Sequence, residues 1–420
     1  MKSLNTKQFY KLSLQERLAR IKEAKDLSEG ELSALKESGL SLDQANKMIE
    51  NVIGTLEIPI GVALNFLINN REYTIPMAIE EASVVAASCK MAKVALIKGG
   101  FHTNHTTPTM IGQIQITNVA DPFAAKMRIL QERKKLLQLA NEQDPILVKL
   151  GGGAKDIEVR VIDTASGPMV VCHLLVDCKD AMGANAVNTM AEALAPEIEK
   201  ISKGKVYLRI ISNLATKRLA RAYAIFDADA LGGEEVVDGM VLAYQFADAD
   251  PYRAATHNKG IMNGISAVAL ALGQDTRAIE AGAHAYASLR GHYRSLTIWE
   301  KNVQGDLVGS IELPMAVGLV GGAVNVHPTV KTNLKILGIK SANELGSVIA
   351  AVGLAQNAGA LRALASEGIQ KGHMSLHARN IAVMAGATAD MVDTVVEKLV
   401  ATGKVRVDVA EQIIKELASM

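Results

Sequence analysis

Cysteine is scarce in this chain: Cys89, Cys172 and Cys178 are the only three among 420 residues. An odd number without CxxC spacing excludes a disulfide framework and a zinc ribbon, and it fits a reducing, cytoplasmic setting. None sits in a polar, electropositive loop, which argues against a reductase that works through a cysteine nucleophile. Aromatic residues reach only 4%, too few for a base-stacking platform. Surplus charge is lacking as well: 45 Lys plus Arg against 44 Asp plus Glu leaves +1, without the basic excess of a nucleic-acid footprint. The longest uncharged stretch, Leu313 to Val330, is interrupted by Gly318, Gly321, Gly322, Asn325, His327 and two prolines, so it is no membrane span. The N-terminus has no apolar core of the kind a signal peptide needs.

What is present is ample apolar material, 49% of residues, in a chain long enough for two or three domains. Residues 13 to 54 carry three capping boxes, Ser13 with Glu16, Ser28 with Glu31 and Ser41 with Gln44, each heading a helical period. Glu50 to Ile68 suggests a turn and a strand, and Tyr73 to Met77 a second strand. The run AIEEASVVAASCKMAKVALIKGG predicts a helix ending at Gly99-Gly100, with Glu80 and Glu81 in its first turn. Those acids fit helix capping and catalysis equally well. Between 110 and 212 the alternation predicts strands at Ile114–Ile116, Ile157–Val161, Val170–Val176 and Val206–Ile210, with helices over Phe123–Asn141 and Ala181–Ile201. The order β-α-β-β-α-β is that of a ferredoxin-like unit, inserted as a separate domain in a larger one. From 213 onward the chain is mixed and mostly helical, with short strands at Thr297–Trp299 and Gly309–Leu313. Ser341–Leu364 suggests a pair of close-packed helices, and Ala389–Leu399 and Val407–Leu417 two more.

Three stretches concentrate chemistry. PYRAATHNKGIMNG packs Arg253, Thr256, His257, Asn258, Lys259 and Asn263 into eleven residues. The preceding FADADPYRAA reads as a loop, and Ile261–Leu272 as a buried helix. A lysine at the mouth of a buried helix needs a partner. Asp275, the nearest acid downstream, could reach it only by a fold-back. The group fits either a polar cap on a core helix or a site for an oxyanion or carboxylate. DCKDAMGANAVN (Asp177–Asn188) leads from a strand to a helix N-terminus, which is either a tight turn or an anion cradle; LGGGAKD (Leu150–Asp156) is a second glycine-rich piece. His373 and His377 are four apart, but no HExxH and no third ligand accompany them, so no metal is expected. A histidine flanked by Gly368 and Gly372 suits proton transfer from a hinged segment.

ENVIG at Glu50–Gly54, PMAIEEAS at Pro76–Ser83, DAMGANAVNTM at Asp180–Met190, PYRAATHNKGIMNG at Pro251–Gly264, GQD at Gly273–Asp275 and GHMSLHARN at Gly372–Asn380 together span nearly the whole chain. In these stretches the sequence resembles the class II 3-hydroxy-3-methylglutaryl-coenzyme A (HMG-CoA) reductases. The resemblance implies an α+β fold: a large, mostly helical substrate domain (1–108 and 216–367), an inserted ferredoxin-like dinucleotide domain (109–215), and a mobile helical C-terminal flap (368–420). It implies reversible four-electron reduction of HMG-CoA to mevalonate and free coenzyme A by two NAD(P)H in the mevalonate (isoprenoid) pathway. Glu81, Lys259, Asp275 and His373 would be catalytic: Lys259 steadying the oxyanion, Asp275 tuning it, and His373 protonating the departing thiolate. Ser83, Asn213, Arg253, Thr256 and Asn263 would hold the hydroxymethylglutaryl group. Asp180, Met182, Gly183, Asn185 and Asn188 would bind the dinucleotide. Asp144 falls where NAD-preferring members place an acid against the adenosine ribose, and an acid there repels a 2′-phosphate, favouring NADH. Lys11 stands where relatives carry an arginine toward coenzyme A phosphate. The family also implies a homodimer or larger homo-oligomer with sites at the interface, ENVIG being part of that joint. A non-catalytic coenzyme A or nucleotide-binding relative is the competing reading; it would lose one of the four catalytic residues, and none is missing.

Overall fold

The computed structural model describes Leu4 and residues 9–37, 39–366, 378–388 and 391–418. All three capping boxes form as expected, each with the serine side chain accepting from the third helical N–H and the Glu or Gln side chain returning to the serine N–H.

Ten strands occur among the described residues: β1 (Ile60–Ile68), β2 (Arg71–Ala78), β3 (Phe101–His105), β4 (Thr109–Thr117), β5 (Gly153–Thr164), β6 (Gly167–Asp177), β7 (Lys205–Ser212), β8 (Leu219–Phe226), β9 (Thr297–Lys301) and β10 (Leu307–Pro314). They make two sheets, ordered β2-β1-β3-β8-β10-β9 and β5-β6-β4-β7. The chain is therefore a mixed α+β protein. In the smaller sheet every pairing is antiparallel, and the two crossovers, from β4 to β5 and from β6 to β7, each carry helix. The first crossover is broken into Pro122–Gln131, Arg133–Asn141 and Pro145–Lys149, where the sequence suggests one continuous helix over Phe123–Asn141.

β1 and β2 join through Asn69 and Asn70, both at positive φ (47° and 64°), the two-residue turn that matches strand twist. β3 and β8 have no clear sequence signal. β3, FHTNH, is short and polar. β8 turns Ala220, Ala222 and Ala224 to the core, and alanine is a weak strand former. Four aromatics gather in the core of the large sheet: Phe66 stacks on Phe101 at 5.3 Å, and Phe101, Phe226 and Trp299 continue the contact.

Three further expectations are corrected. The helix after β2 spans Val84–Leu96, so Glu80 and Glu81 precede it rather than cap it; β2 pairs with β1 as far as Ala78, and Ser83 at φ 80° blocks earlier helix. FADADPYRAA is no loop: helix Glu234–Ala249 ends at Asp250, whose carboxylate accepts from Arg253 N at 2.7 Å to cap Pro251–Ala271 at once, with Pro251 at the first helical position. Ser341–Leu364 is one helix, Ala342–Ala365. Its glycines permit close approach instead of breaking it: a Cβ on Gly353 would meet Ile265 at 2.8 Å. This helix is long and apolar enough to cross a membrane, yet from Ala342 to Ala358 every residue but Asn343 and Glu344 is buried in the core, against Pro251–Ala271.

The buried residues separate into one cluster on the large sheet and a second around the smaller sheet with helix Ala184–Ser202. A third, small cluster joins Ala378, Ile381 and Ala382 to helices Val392–Ala401 and Val407–Ala418.

Candidate active site

Helix Pro251–Ala271 has two faces. Ala254, His257, Asn258, Ile261, Met262 and Ile265 are buried, whereas Arg253, Thr256, Lys259 and Asn263 lie half-buried or exposed. Thr256, Lys259 and Asn263 follow helical spacing of three and four, so they share a stripe. Lys259 Nζ reaches Glu81 Oε2 at 3.1 Å, joining positions 178 residues apart. The pair is open to solvent, with 62% of the lysine and 40% of the glutamate side chain exposed, so its electrostatic contribution to stability is small. Glu81 sits in the bend between β2 and Val84–Leu96. Ser83 beside it holds a left-handed conformation uncommon for a residue with a side chain, and its own side chain caps nothing. Such strain clusters at functional sites. Arg253 is partly desolvated, which pulls its guanidinium below the usual value.

His257 and Asn258 do not join this group. His257 Nε2 lies 2.9 Å from both Ser295 Oγ and Thr297 Oγ1. Ser295 donates to Thr297 O and Thr297 donates to Asn357 Oδ1, so the imidazole nitrogen carries the proton and donates. Burial, helped by Arg253, lowers the imidazole to about 3, which keeps it neutral. Asn258 is used up by Arg294 O and Leu296 N.

A cavity of about 1400 Å³ lies elsewhere. Its walls are the stretch from Met48 to Ile60, which contains the ENVIG segment, then Ala181–Ala186, Gly273–Asp275, and Gly318–Gly322 with the start of helix Pro328–Leu337. Met182, Gly183 and Asn185 line it at the N-terminus of Ala184–Ser202. Gly183 takes φ 106°, and a Cβ there would overlap Cys178 Sγ. Asp144 faces the same cavity while capping Pro145–Lys149 through Leu147 N at 2.9 Å. Asp275 is also here. It caps Thr276–Ala287 through Ala278 N at 3.1 Å and pairs with Arg277 at 3.0 Å. Lys259 is separated from the end of its helix at Ala271 by about 18 Å of helical rise, and neither it nor Glu81 lines the cavity. Within one chain no fold-back brings Asp275 to Lys259.

Two of the residues expected to touch a dinucleotide are used by the protein itself. Asp180 Oδ1 accepts from Ala342 N at 2.7 Å and Asn188 Oδ1 from Ile211 N at 2.8 Å; neither lines the cavity. Asn213 is exposed in the loop after β7, its carbonyl packed on Gly282. The wall Gly318–Gly322 was missed. Its signal is the glycine spacing of VGLVGG, which also interrupts the longest uncharged stretch. His373 and His377 lie outside the described residues. The thiols are quiet: burial pushes Cys172 up to about 12 and Cys178 up to about 11, and raises Cys89 as well.

Residues 13–378 match the family model for hydroxymethylglutaryl-coenzyme A reductase. The chain is 61% identical over 411 residues to the 3-hydroxy-3-methylglutaryl-coenzyme A reductase of Archaeoglobus fulgidus, covering 98% of this chain and 94% of that one. A probable reductase of the same name from Borreliella burgdorferi is 36% identical, covering 80% and 77%. Among solved structures, the reductase of Streptococcus pneumoniae superposes with a TM-score of 0.84 at 41% identity, over 98% of this chain and 99% of that chain. The class II enzyme of that organism bound to NADPH, in open conformations, gives 0.83 at 43% identity, over 86% and 99%. The chain belongs to the hydroxymethylglutaryl-coenzyme A reductase family as a class II member, an NAD(P)H-dependent oxidoreductase that reduces HMG-CoA to mevalonate.

Proposed function

We propose that Glu81, Lys259, Asp275 and His373 carry the chemistry of this reduction, with substrate held by the outward face of Pro251–Ala271. The observation that carries the reading is the 3.1 Å contact between Glu81 and Lys259 beside Ser83, Arg253, Thr256 and Asn263. Reduction of a thioester carbonyl leaves an oxyanion, and Lys259 supplies the cation aimed at it. Glu81, within hydrogen-bond reach of that ammonium, is placed to pass a proton to the resulting alkoxide. Arg253 offers a fork to the free carboxylate of the substrate. His373, which lies outside the described residues, is assigned the protonation of the departing thiolate.

The dinucleotide is assigned to the cavity. Its volume, its glycine walls and the free N–H groups at the start of Ala184–Ser202 suit a pyrophosphate and two nucleosides. When bound, NAD(P)H supplies hydride; Met182, Gly183 and Asn185 orient it. The relative from S. pneumoniae binds NADPH. Asp144 on the cavity wall supports a preference for NADH here, since it would meet a 2′-phosphate with like charge.

The smaller sheet and its helices, residues 109–215, form the inserted ferredoxin-like unit that offers Asp144, Met182, Gly183 and Asn185; residues 1–108 and 216–367 build the substrate domain, and 368–420 the flap. Asp275 lies with the dinucleotide cavity and away from Lys259, and the Met48–Ile60 wall leaves Ile49, Ile53 and Leu56 largely in solvent. Both features support a homodimer in which each site is completed by a second copy. The test mixes purified protein with HMG-CoA and follows oxidation of NADH and, separately, NADPH, with titration of free thiol. Two dinucleotides consumed per thiol, faster with NADH, is the expected outcome. Equal rates or a preference for NADPH would remove the role given to Asp144, and no oxidation by a folded dimer would remove the catalytic assignment.

A further inference from the structure

Arg218, in the turn before β8, is 3% exposed; among the described residues no carboxylate forms an ion pair with it, although Asp177 and Asp180 lie near enough to favour its charge. A buried guanidinium without a contacting carboxylate is expensive unless its donors are otherwise satisfied. Here they go to backbone carbonyls on two separate segments. Nη1 donates to Ala181 O and Met182 O, both at 3.0 Å, and Nη2 to Val317 O at 2.6 Å. Those segments are the two glycine walls of the cavity, which touch again through the parallel bridge between Ala181 and Val320. Leu319 N donates to Asp180 O at 2.7 Å, and Gln274 brackets Gly318 by accepting from its N–H at 2.8 Å and donating to its carbonyl at 3.0 Å. Gly318 packs so closely on Met182 N that a Cβ would overlap it.

The direction of these bonds matters. The peptides are trans, so each N–H points opposite to the carbonyl of its own unit. With Ala181 O and Met182 O drawn to the guanidinium, the N–H groups of Met182 and Gly183 are turned away from it. Both residues line the cavity. A core position that needed only volume would take an apolar residue; a five-donor planar cation can span two loops and orient their peptides together.

We propose that Arg218 is a positioning residue for the dinucleotide: it ties Ala181–Met182 to Val317 and holds the Met182 and Gly183 N–H groups toward a pyrophosphate. This rests on the assignment of the dinucleotide to that cavity. It touches neither substrate nor dinucleotide and acts through the loops.

The test uses the full-length protein carrying Arg218→Lys and Arg218→Met, each checked for fold by circular dichroism and melting. NADH, NADPH and HMG-CoA binding are measured calorimetrically, alongside steady-state rates. A lysine has one compact ammonium and cannot span both loops, so Arg218→Lys should weaken dinucleotide binding about tenfold and Arg218→Met more. HMG-CoA affinity should stay within about twofold and kcat at saturating dinucleotide within about threefold, because positioning acts on dinucleotide binding alone. Unchanged dinucleotide affinity in a folded Arg218→Met protein overturns the proposal. Parallel weakening of both ligands does so too, as does failure of both variants to fold, since Arg218 would then hold the fold rather than the loops. Asn185→Ala and Asp144→Ala separate the two levels. If both bind dinucleotide like the unaltered protein, the cavity assignment itself falls. If they weaken binding and the Arg218 variants do not, only the proposal for Arg218 falls.

Discussion

On helix Pro251–Ala271, His257 and Asn258 are 2% and 0% exposed and have their hydrogen bonds filled by Ser295, Thr297, Arg294 O and Leu296 N. One residue further on, Lys259 has most of its side chain in solvent and, among the described residues, pairs with Glu81. The motif THNKG thus divides between two tasks. The inward pair anchors the helix to β9 and the segment just before it, and Thr297 continues the network to Asn357 of Ala342–Ala365, because buried polar groups must be satisfied to be tolerated. The outward set, Arg253, Thr256, Lys259 and Asn263, keeps hydrogen-bonding capacity for a ligand. Adjacent polar residues in a motif need not share a function; a helix turns about 100° per residue and decides which of them meets solvent.

That contrast can be broken at either face. The largest effect belongs to the outward one: Lys259→Ala should fold and assemble normally and lose about 10²–10³ in kcat, as expected for removal of an oxyanion donor. A variant with more than a tenth of the original rate would contradict the role given to Lys259. The inward face should show itself in stability. His257 has its folded-state pKa lowered from 6.5 to about 3, so the unfolded chain takes a proton that the folded one refuses. Stability is therefore highest above about pH 6.5 and falls as pH drops toward 3, by at most about 1.4 kcal/mol per pH unit from this group. His257→Gln should flatten the decline in melting temperature between pH 6 and 4 relative to the parent protein; identical slopes would mean that His257 is not the group responsible.

A smaller outward effect is expected from Arg253→Lys, which keeps the charge and loses the fork. It should raise KM for HMG-CoA about tenfold with kcat within about threefold. A loss confined to kcat would place Arg253 with the reacting atoms instead. The smallest effect is sought from the thiols. Replacing Cys89, Cys172 and Cys178 together by Ser or Ala should leave turnover largely intact, since burial holds all three as neutral thiols. A folded but inactive triple variant would revive a cysteine mechanism.

The sequence by itself determined what depends on neighbours along the chain. Serine followed three places later by Glu or Gln forms a capping box from contacts inside one turn, and all three boxes are present. Alternation of period two placed β4 to β6, whose alternating residues face helices, but on β7 it marked only the strand: Val206 is buried while Leu208 and Ile210 lie in solvent, past the register shift between Ile114 and Ile116. Local signals failed where burial overrode propensity: alanine-lined β8, and the glycines of Ala342–Ala365, which serve packing rather than a break. Only the tertiary structure decided the pairings. Lys259 has Asp275 as its nearest acid downstream, yet Glu81 is its partner, because a rigid helix carries Lys259 away from Asp275 while the bend after β2 delivers Glu81 to it. Arg218 has no local feature that sets it apart from its neighbour Lys217; its contact with three carbonyls exists only because β8 carries it into the seam between two loops. Caps and periods are short-range and additive along a chain, whereas which charge meets which is fixed by how the cores pack, and that has no one-dimensional signature.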